Sequence, residues 1–351
     1  DALSVDASGD LEAVAPYELV SKMRASINVL GPLVARCGAA RVALPGGDAI
    51  GSRKLDMHVA GLRAMGAEIE QEHGYLVATV DGGLRGARHV LEFPSVGATE
   101  NLLTAAVLAK GSSVIDNAAR EPEITELCAC LNRMGAHVVG GGTSTIVIEG
   151  VDALEPTDTE LIPDRIETGT LLLACAMAGG EIELAGARLD HIEVMARRLA
   201  EMGMLVAPTT DGVWARSTRR LTAIDIPTLP FPGFATDLMP LAVALLTVCE
   251  GSGIVTENIY DGRFQFVDEL ARMGANISHE GRHAVVRGVE RLEGAPVTAT
   301  DVRAGAALVL AGLVADGETI VHGCEHIDRG YVDLPASLAA LGAAVTRVGA
   351  E

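Results

Sequence analysis

Five segments of the chain repeat one alternation of apolar and polar positions. Each is a helical stretch that ends in Met-Gly-Ala or a near variant and is followed by a short apolar segment. The glycines lie 68 to 71 residues apart, at Gly66, Gly135, Gly203, Gly274 and Gly342. A glycine after the last helical turn accepts the left-handed backbone conformation that ends many helices. The pattern therefore predicts a helix, a glycine cap and a strand, five times over.

A second pattern alternates with the first. Helices rich in Ala and Leu run into a glycine and a β-branched strand in VLAKGSSVI, CAMAGGEIEL, TVCEGSGIV and GLVADGETIV. Each repeat thus contains two helices and several strands. Solenoid repeats are usually shorter, and the loops between these repeats differ in sequence and carry many charges. We therefore expect globular domains rather than a solenoid.

The spacing of the repeats also predicts where the domains begin and end. One interval before Gly66 falls just ahead of residue 1, and the opening residues ALSVDA resemble the strand that would follow such a helix. We therefore expect a first repeat to be missing from this chain. Six repeats would form two domains of three, which places the domains at residues 1–162 and 163–351. A chain of 351 residues also fits two domains of roughly 150 residues each.

The amino-acid composition limits the kind of core and the kinds of binding partner that this chain can have. Aromatic residues are only 3% of a chain that is 49% apolar, so the cores must be aliphatic. The net charge of -20 repels nucleic acid and anionic lipid, and we expect neither as a partner, although the charge also serves simple solubility. The apolar runs are too short to span a bilayer. An anionic substrate would need a local cluster of Arg or Lys.

The six cysteines show no paired zinc spacing. We interpret them as buried free thiols in a reducing cytosol. The polar first residues, DALSVDASGDLE, contain no visible signal peptide. These features together predict a cytoplasmic location.

Three segments combine a turn with residues that suit anions or proton transfer. LPGGDAIGSRKLDMH places Asp48, Arg53 and Lys54 at a glycine-rich turn whose N–H groups suit anions, although the pattern is also typical of a plain tight turn. In FPSVGATENLLTAA, Ser95 fits either a helix cap or a phosphate site. In FPGFATDLMPLAVALL, Asp237 lies near a helix start, where an acid also complements the helix dipole.

Arginines recur at corresponding turns of the repeats. They are Arg24, Arg263, Arg303 and Arg329. A guanidinium group binds carboxylate or phosphate through two parallel hydrogen bonds. A solvated surface arginine is the usual alternative, but repeat-related turns collect at one end of a domain. We expect these arginines to hold anions.

The chain resembles the UDP-N-acetylglucosamine 1-carboxyvinyltransferases, the bacterial enolpyruvyl transferases that start peptidoglycan precursor synthesis. The matching segments, spread from Tyr17 to Glu351, are LPGGDAIGSR, PSVGATEN, NAAREPEI, IPDRIETGT, TENIYDGRF, TDVRAGAALVLAGLVA and HIDRGY. The resemblance implies an α/β fold of two inside-out barrel domains built from βαβαββ units. It also implies transfer of the enolpyruvyl group of phosphoenolpyruvate to the 3-hydroxyl of UDP-N-acetylglucosamine, with release of phosphate. No metal or organic cofactor would be required, and a monomer is favoured.

The resemblance further assigns roles to residues. Asp48 matches the general acid on a mobile loop, and Asp237 matches the carboxylate at the sugar hydroxyl, which we take as the base. Residues that hold the anionic substrates would be Arg24, Arg53, Arg303 and Arg329, of which Arg303 and Arg329 would also be catalytic. Residues that hold the UDP-sugar would be Arg53, Lys54, Leu55, Asp56, Met57, Phe93, Pro94, Ser95, Val96, Gly97 and Ile259.

Three departures from the family pattern accompany these assignments. Asp48 replaces the cysteine to which fosfomycin attaches in most members, so we expect resistance. The Lys-Asn pair near the family's N-terminus is not in this sequence, and Ala235, Met239 and Pro240 differ from the usual surroundings of Asp237. Two alternatives stay open: a non-catalytic or truncated paralogue that binds UDP-sugar, and a transferase for a different acceptor.

Overall fold

The five cap glycines adopt the predicted backbone conformation in the computed structural model, which describes residues 2–7, 9–48, 50–51 and 54–349. Their φ angles lie between 84° and 108°. In the first cap, the Gly66 N–H donates to the Arg63 carbonyl at 3.0 Å and the Ala67 N–H donates to the Leu62 carbonyl at 3.1 Å. The other four caps repeat both bonds, which satisfy carbonyls that the helix end would leave unpaired.

A buried leucine accompanies every cap. It lies four residues before the glycine, as Leu62, Leu131, Leu199, Leu270 and Leu338. A Cβ added to four of the five glycines would meet no atom within 4 Å, whereas at Gly203 it would meet the Arg219 side chain. Backbone conformation, rather than lack of space, therefore selects glycine at these four positions.

Repeats 1 and 2 are complete βαβαββ modules. Repeat 1 contains β1 (Val14–Ala15), α1 (Tyr17–Val20), a 3₁₀ helix (Arg24–Val29), α2 (Leu30–Cys37), β2 (Ala39–Ala43), α3 (Asp56–Ala64), β3 (Glu68–Glu72) and β4 (Tyr75–Thr79). Repeat 2 contains β5 (Arg88–Val90), α4 (Val96–Ala106), β6 (Ser112–Asp116), α5 (Pro122–Arg133), β7 (His137–Val139) and β8 (Thr145–Glu149). The sheet orders are β1-β2-β4-β3 and β5-β6-β8-β7. In each sheet the first pair is parallel and the other pairs are antiparallel.

Repeat 4 follows the same order, and repeat 3 does so without the first strand. Repeat 3 contains α6 (Arg165–Ala178), β9 (Gly180–Ala185), a 3₁₀ helix (Leu189–Ile192), α7 (Glu193–Met202), β10 (Leu205–Pro208) and β11 (Gly212–Ser217). Repeat 4 contains β12 (Ile226–Pro227), a 3₁₀ helix (Thr236–Leu238), α8 (Met239–Thr247), β13 (Ser252–Thr256), α9 (Val267–Arg272), β14 (Asn276–Glu280) and β15 (His283–Arg287). The sheet of repeat 3 has three strands, β10-β11-β9, and that of repeat 4 has four, β12-β13-β15-β14.

Repeat 5 carries only short parallel strand pairs. Its elements are β16 (Leu292–Glu293), β17 (Pro296–Thr298), α10 (Val302–Gly312), β18 (Ala315–Asp316), β19 (Ile320–His322), α11 (Cys324–Ile327) and α12 (Leu334–Ala340). The strand expected after Gly342 is absent from residues 343–349, and residues 2–7 likewise form no strand. In repeats 1 to 4 the corresponding strand makes its ladder with the strand that follows it. The described residues after Gly342 make no such ladder.

Repeats 1 and 2 form one compact unit and repeats 3 to 5 form another, with the boundary between Ile162 and Pro163. Asp48, Ile50 and Gly51 fall within the predicted first domain, but they pack with the second unit. The Gly262 N–H donates to the Ile50 carbonyl at 3.3 Å. A Cβ on Gly51 would lie 2.1 Å from an Asp261 carboxylate oxygen. Long-range packing therefore decides where this loop lies.

Each unit has an aliphatic core, as the composition predicts. In the first unit α4 packs against α2, and in the second α8 packs against α10 and α6. Every residue of α8 is buried, because the helix is apolar on all sides. Each fully buried aliphatic side chain contributes roughly 1.5–3 kcal/mol.

The prediction that all six cysteines are buried is wrong. Cys128, Cys175 and Cys249 are buried, but Cys130 and Cys324 are half-buried and Cys37 is exposed. Cys37 is the last residue of α2, where the helix reaches the surface. None of the helices in the described part of the chain is both long and apolar enough to cross a membrane.

Candidate active site

Asp237 lies between two guanidinium groups in the second unit. The short 3₁₀ helix before α8 positions it, and Pro240 fits the first turn of α8, where no N–H donor is needed. Arg263 Nη2 donates to Asp237 Oδ1 at 2.9 Å, and Arg303 Nε lies 3.6 Å from Oδ2. Burial alone would raise the pKa of Asp237, but the charges of Arg263 and Arg303 outweigh it and lower the pKa. The carboxylate is therefore ionised at neutral pH.

Arg263 and Arg303 each have an N–H group that makes no hydrogen bond within the described residues. Their side chains are 2% and 15% exposed, and Arg263 Nε and Arg303 Nη1 are buried without a hydrogen-bond partner in the described part of the chain. A buried N–H without an acceptor costs about 1–3 kcal/mol, so such groups are rare in folded proteins. Two of them beside one carboxylate suit a ligand that carries anionic oxygens.

Arg303 is fixed by its own helix and by an aromatic ring. It is the second residue of α10, whose N-cap Asp301 accepts hydrogen bonds from the Arg303 and Ala304 N–H groups at 2.9 Å. The guanidinium lies 5.2 Å from the centre of the Tyr331 ring. The Tyr331 hydroxyl is in turn 2.8 Å from Thr170 Oγ1.

Asp48 and Arg329 form a second charged pair in the same unit. Arg329 Nη2 contacts both Asp48 Oδ1 and, at 3.0 Å, His326 Nδ1. The following residue, Gly330, is so close to α10 that a Cβ there would lie 3.3 Å from Arg303 Nη1. Arg329, which pairs with Asp48, is thus only two residues before Tyr331, which lies beside Arg303.

A buried glutamate that the sequence analysis missed supports this cluster. Glu257 follows β13 and is fully inaccessible to solvent. Its carboxylate accepts hydrogen bonds from the Thr236 hydroxyl at 2.8 Å and from the N–H of Ile259, a predicted substrate contact, at 2.7 Å. The only sequence signal was its place in the string TENIYDGRF.

The first unit carries its own set of predicted residues at the start of α4. Ser95 caps the helix, because its hydroxyl accepts a hydrogen bond from the Ala98 N–H at 3.3 Å. A Cβ on Gly97 would lie 3.5 Å from the His58 ring and 3.6 Å from Asn28 Oδ1. Phe93 is exposed, whereas Pro94, Ser95, Val96 and Gly97 are half-buried. The predicted cap is confirmed, and a phosphate role stays a prediction.

His58 is a neutral buried neighbour of this helix start. Burial and, to a lesser degree, the charge of Arg24 lower its pKa to about 4, although Asp56 opposes the shift. Asn101 Nδ2 donates to His58 Nδ1 at 2.9 Å, while Asn101 Oδ1 accepts from the Gly31 N–H at 2.6 Å. The neutral ring therefore carries its proton on Nε2.

The other predicted contacts of the first unit lie around α3. Lys54 is exposed, Leu55 is half-buried, and Asp56 begins the helix and accepts a hydrogen bond from the Met57 N–H at 3.0 Å. Arg24 begins the 3₁₀ helix that precedes α2. Arg53 lies outside the described residues. No cluster of His, Cys, Asp or Glu in the described ranges could hold a metal ion.

Comparison with known proteins agrees with this architecture. A UDP-N-acetylglucosamine 1-carboxyvinyltransferase of Corynebacterium jeikeium is 53% identical over 348 residues, which is 99% of this chain and 83% of that protein. One of Gluconacetobacter diazotrophicus is 54% identical over 334 residues, or 95% of this chain and 80% of that protein. The structure is similar to the crystal structure of the enolpyruvyl transferase NikO from Streptomyces tendae, with a TM-score of 0.87 and 26% identity over 99% of this chain and 82% of that one.

The predicted fold class is confirmed by this similarity. The family model for EPSP synthase (3-phosphoshikimate 1-carboxyvinyltransferase) also matches residues 3–338. On this evidence the chain belongs to the EPSP synthase family, and within it to the group of the UDP-N-acetylglucosamine 1-carboxyvinyltransferases.

Proposed function

We propose that the protein transfers the enolpyruvyl group of phosphoenolpyruvate to the 3-hydroxyl of UDP-N-acetylglucosamine and releases phosphate. The observation that carries the proposal is the Asp237 cluster, in which an ionised carboxylate lies between two arginines that keep buried, unpartnered donors. Such a cluster can accept the proton of a hydroxyl group and bind anionic oxygens at the same place. The relatives at 53% and 54% identity are named for this transfer.

The reaction needs three proton movements. The acceptor oxygen bonds to C2 of phosphoenolpyruvate and loses its proton, while C3 gains a proton and becomes a methyl group. Phosphate then leaves from C2, and C3 loses a proton to restore the double bond. In our proposal Asp237 accepts the hydroxyl proton, and Asp48 supplies the proton to C3 and takes one back from C3 when phosphate leaves.

The arginines stabilise the negative charge throughout. Arg303 and Arg329 would hold the carboxylate and phosphate of phosphoenolpyruvate and of the tetrahedral intermediate, because preorganised donors are worth most where charge develops. Arg329 contacts Asp48 in the structure. A phosphate at Arg329 would compete for this contact and release Asp48 for proton transfer.

The residues of the first unit would bind the nucleotide sugar. Val96 and Gly97 would offer the N–H groups of the helix start to phosphate oxygens, and Ser95 would offer its hydroxyl, because its own N–H donates to the Phe93 carbonyl at 2.7 Å. Lys54 and Arg24 add positive charge, and Met57 and Phe93 offer apolar surface. We further propose that the protein acts in the cytoplasm as a monomer.

An acceptor-swap assay tests this function. Phosphate release is measured with phosphoenolpyruvate and, in turn, UDP-N-acetylglucosamine, UDP-glucose or shikimate 3-phosphate. We expect release only with UDP-N-acetylglucosamine. Release with another acceptor would replace the proposed substrate, and tight binding of UDP-N-acetylglucosamine without any release would identify a non-catalytic binding protein.

A further inference from the structure

Glu257 makes an unusually complete set of hydrogen bonds for a buried acid. Its Oε1 accepts from Thr228 Oγ1 at 3.0 Å and from the backbone N–H groups of Ile259 at 2.7 Å and Tyr260 at 3.0 Å. Its Oε2 accepts from Thr236 Oγ1 at 2.8 Å. Buried carboxylates are costly unless they are bonded in this way, and once bonded they are held in one orientation.

The bond to Thr236 leads directly to the candidate catalytic carboxylate. The Thr236 hydroxyl gives its proton to Glu257, so its lone pairs face Arg263, and Arg263 Nη1 donates to it at 3.0 Å. The other end of the same guanidinium donates to Asp237 at 2.9 Å. Glu257 thereby determines which way the Thr236 hydroxyl points and where Arg263 lies.

The charges around Asp237 also indicate that Glu257 stabilises this cluster. Asp237 faces the guanidinium groups of Arg263 and Arg303, and the charge of Arg165 also acts on it. Glu257 adds a second carboxyl group, joined to Arg263 through Thr236, which lowers the cost of burying Arg263 at 2% exposure. Glu257 is not in contact with solvent, so water does not compete for its hydrogen bonds.

We propose that Glu257 is a positioning residue for the transfer reaction. It orients Asp237 toward the acceptor hydroxyl through Thr236 and Arg263, and it shapes the turn that presents Ile259 to the nucleotide sugar. This inference rests on the proposed function. Glu257 does not touch substrate, and its effect passes through the residues that do.

The test compares Glu257→Gln and Thr236→Val with a matched control, Thr247→Val. Gln keeps the size of Glu257, but its amide nitrogen donates to Thr236, so the hydroxyl proton must turn toward Arg263 and oppose that bond. Thr236→Val removes the hydroxyl while leaving the bonds from Glu257 to Ile259 and Tyr260. Thr247 is fully buried in the same core, and within the described residues its hydroxyl donates only to Ala244 O of its own helix.

Steady-state kinetics and melting temperatures are measured for all three variants and the wild type. Both site variants should lose about 10- to 100-fold in kcat, the range seen for residues that orient the ligands of metal sites, which act in the same indirect way. Glu257→Gln should also raise KM for UDP-N-acetylglucosamine and leave KM for phosphoenolpyruvate unchanged. Thr247→Val should lower the melting temperature without these kinetic changes. Wild-type kinetics in Glu257→Gln, at whatever melting temperature, would overturn the proposal.

Hydrogen–deuterium exchange of the ligand-free protein separates this inference from the proposed function. If the wild type shows no turnover, the proposed function fails, but the positioning role is still tested. Faster exchange in residues 257–266 and 236–240 of Glu257→Gln, and not of Thr247→Val, would support it. Unchanged exchange in both segments would overturn it.

Discussion

Arg263 donates a hydrogen bond of 2.9 Å to Asp237 from a side chain that is almost fully buried. Arg303 approaches the other carboxylate oxygen at 3.6 Å. The arrangement keeps Asp237 ionised and aligned, yet leaves donors on both arginines for a ligand. It therefore combines a proton acceptor with an anion site in one cluster.

The Asp237→Asn variant tests the acceptor role. Asn cannot take a proton at neutral pH, so kcat should fall by about 10²- to 10⁴-fold, the usual contribution of a general base. Asp316→Asn is a suitable control, because Asp316 pairs with Arg291 at 3.1 Å on the exposed surface. Equal kcat values for Asp237→Asn and the control would remove Asp237 from the reaction.

The Asp48→Cys variant tests the position of the proposed acid. If Asp48 occupies the family's cysteine position, the variant should gain a covalent fosfomycin adduct at position 48, while the wild type stays active in the presence of the compound. Peptide mapping by mass spectrometry locates the adduct and distinguishes it from reaction at the exposed Cys37. Asp48→Ser serves as the control. If the folded variant yields the peptide around position 48 without an adduct, this assignment is wrong.

The Glu100→Gln variant tests whether the buried carboxyl group of Glu100 makes the stability of the protein depend on pH. Burial raises the pKa of Glu100 to about 6, with smaller contributions from Glu121 and Glu123, while the hydrogen bond from Asn28 opposes the shift. A raised carboxyl pKa stabilises the fold below about pH 4.5, and this contribution is lost as the pH rises through 6. The shift corresponds to about 2 kcal/mol.

Urea unfolding at pH 5 and pH 7.5 measures this effect. The variant should gain stability relative to the wild type by about 1 kcal/mol between the two conditions, because part of the effect is already lost at pH 5. His58 titrates in both proteins, so its contribution cancels in the difference. Glu70→Gln, an exposed change on β3, should show no such gain. A difference that is the same at both pH values would contradict the burial argument.

The Gly135→Ala variant tests the cap of α5. Gly135 has φ 95°, a conformation that costs an L-residue about 1–2 kcal/mol, and no neighbouring atom would obstruct the added Cβ. The free energy of unfolding in urea should fall by that amount. Gly9→Ala, at an open position without a left-handed φ, should leave it unchanged. A cost near zero at Gly135 would show that the cap conformation is not maintained.

Features that depend on neighbouring residues in the chain were predictable from the sequence. The five caps were found because Gly66 and its counterparts act through their own backbone and the preceding helical turn. The helix starts at Ser95 and Asp237 were found for the same reason. These signals, with the family strings, were enough for the fold and the family.

Features that depend on distant packing were not predictable. In the sequence Glu257 cannot be distinguished from the other acidic residues, because its partners Thr228 and Thr236 are 29 and 21 residues away. The packing of Asp48 with the second unit, the exposure of Cys37 and the missing strand after Gly342 also depend on contacts that spacing does not reveal.

Identification of the reaction product tests the central claim most directly. The purified protein is incubated with phosphoenolpyruvate and UDP-N-acetylglucosamine, and the mixture is analysed by mass spectrometry and phosphorus NMR. We predict a nucleotide sugar that carries an enolpyruvyl ether on its 3-hydroxyl, together with one phosphate for each product molecule. Unchanged substrates, or phosphate released without the enolpyruvyl sugar, would contradict the account.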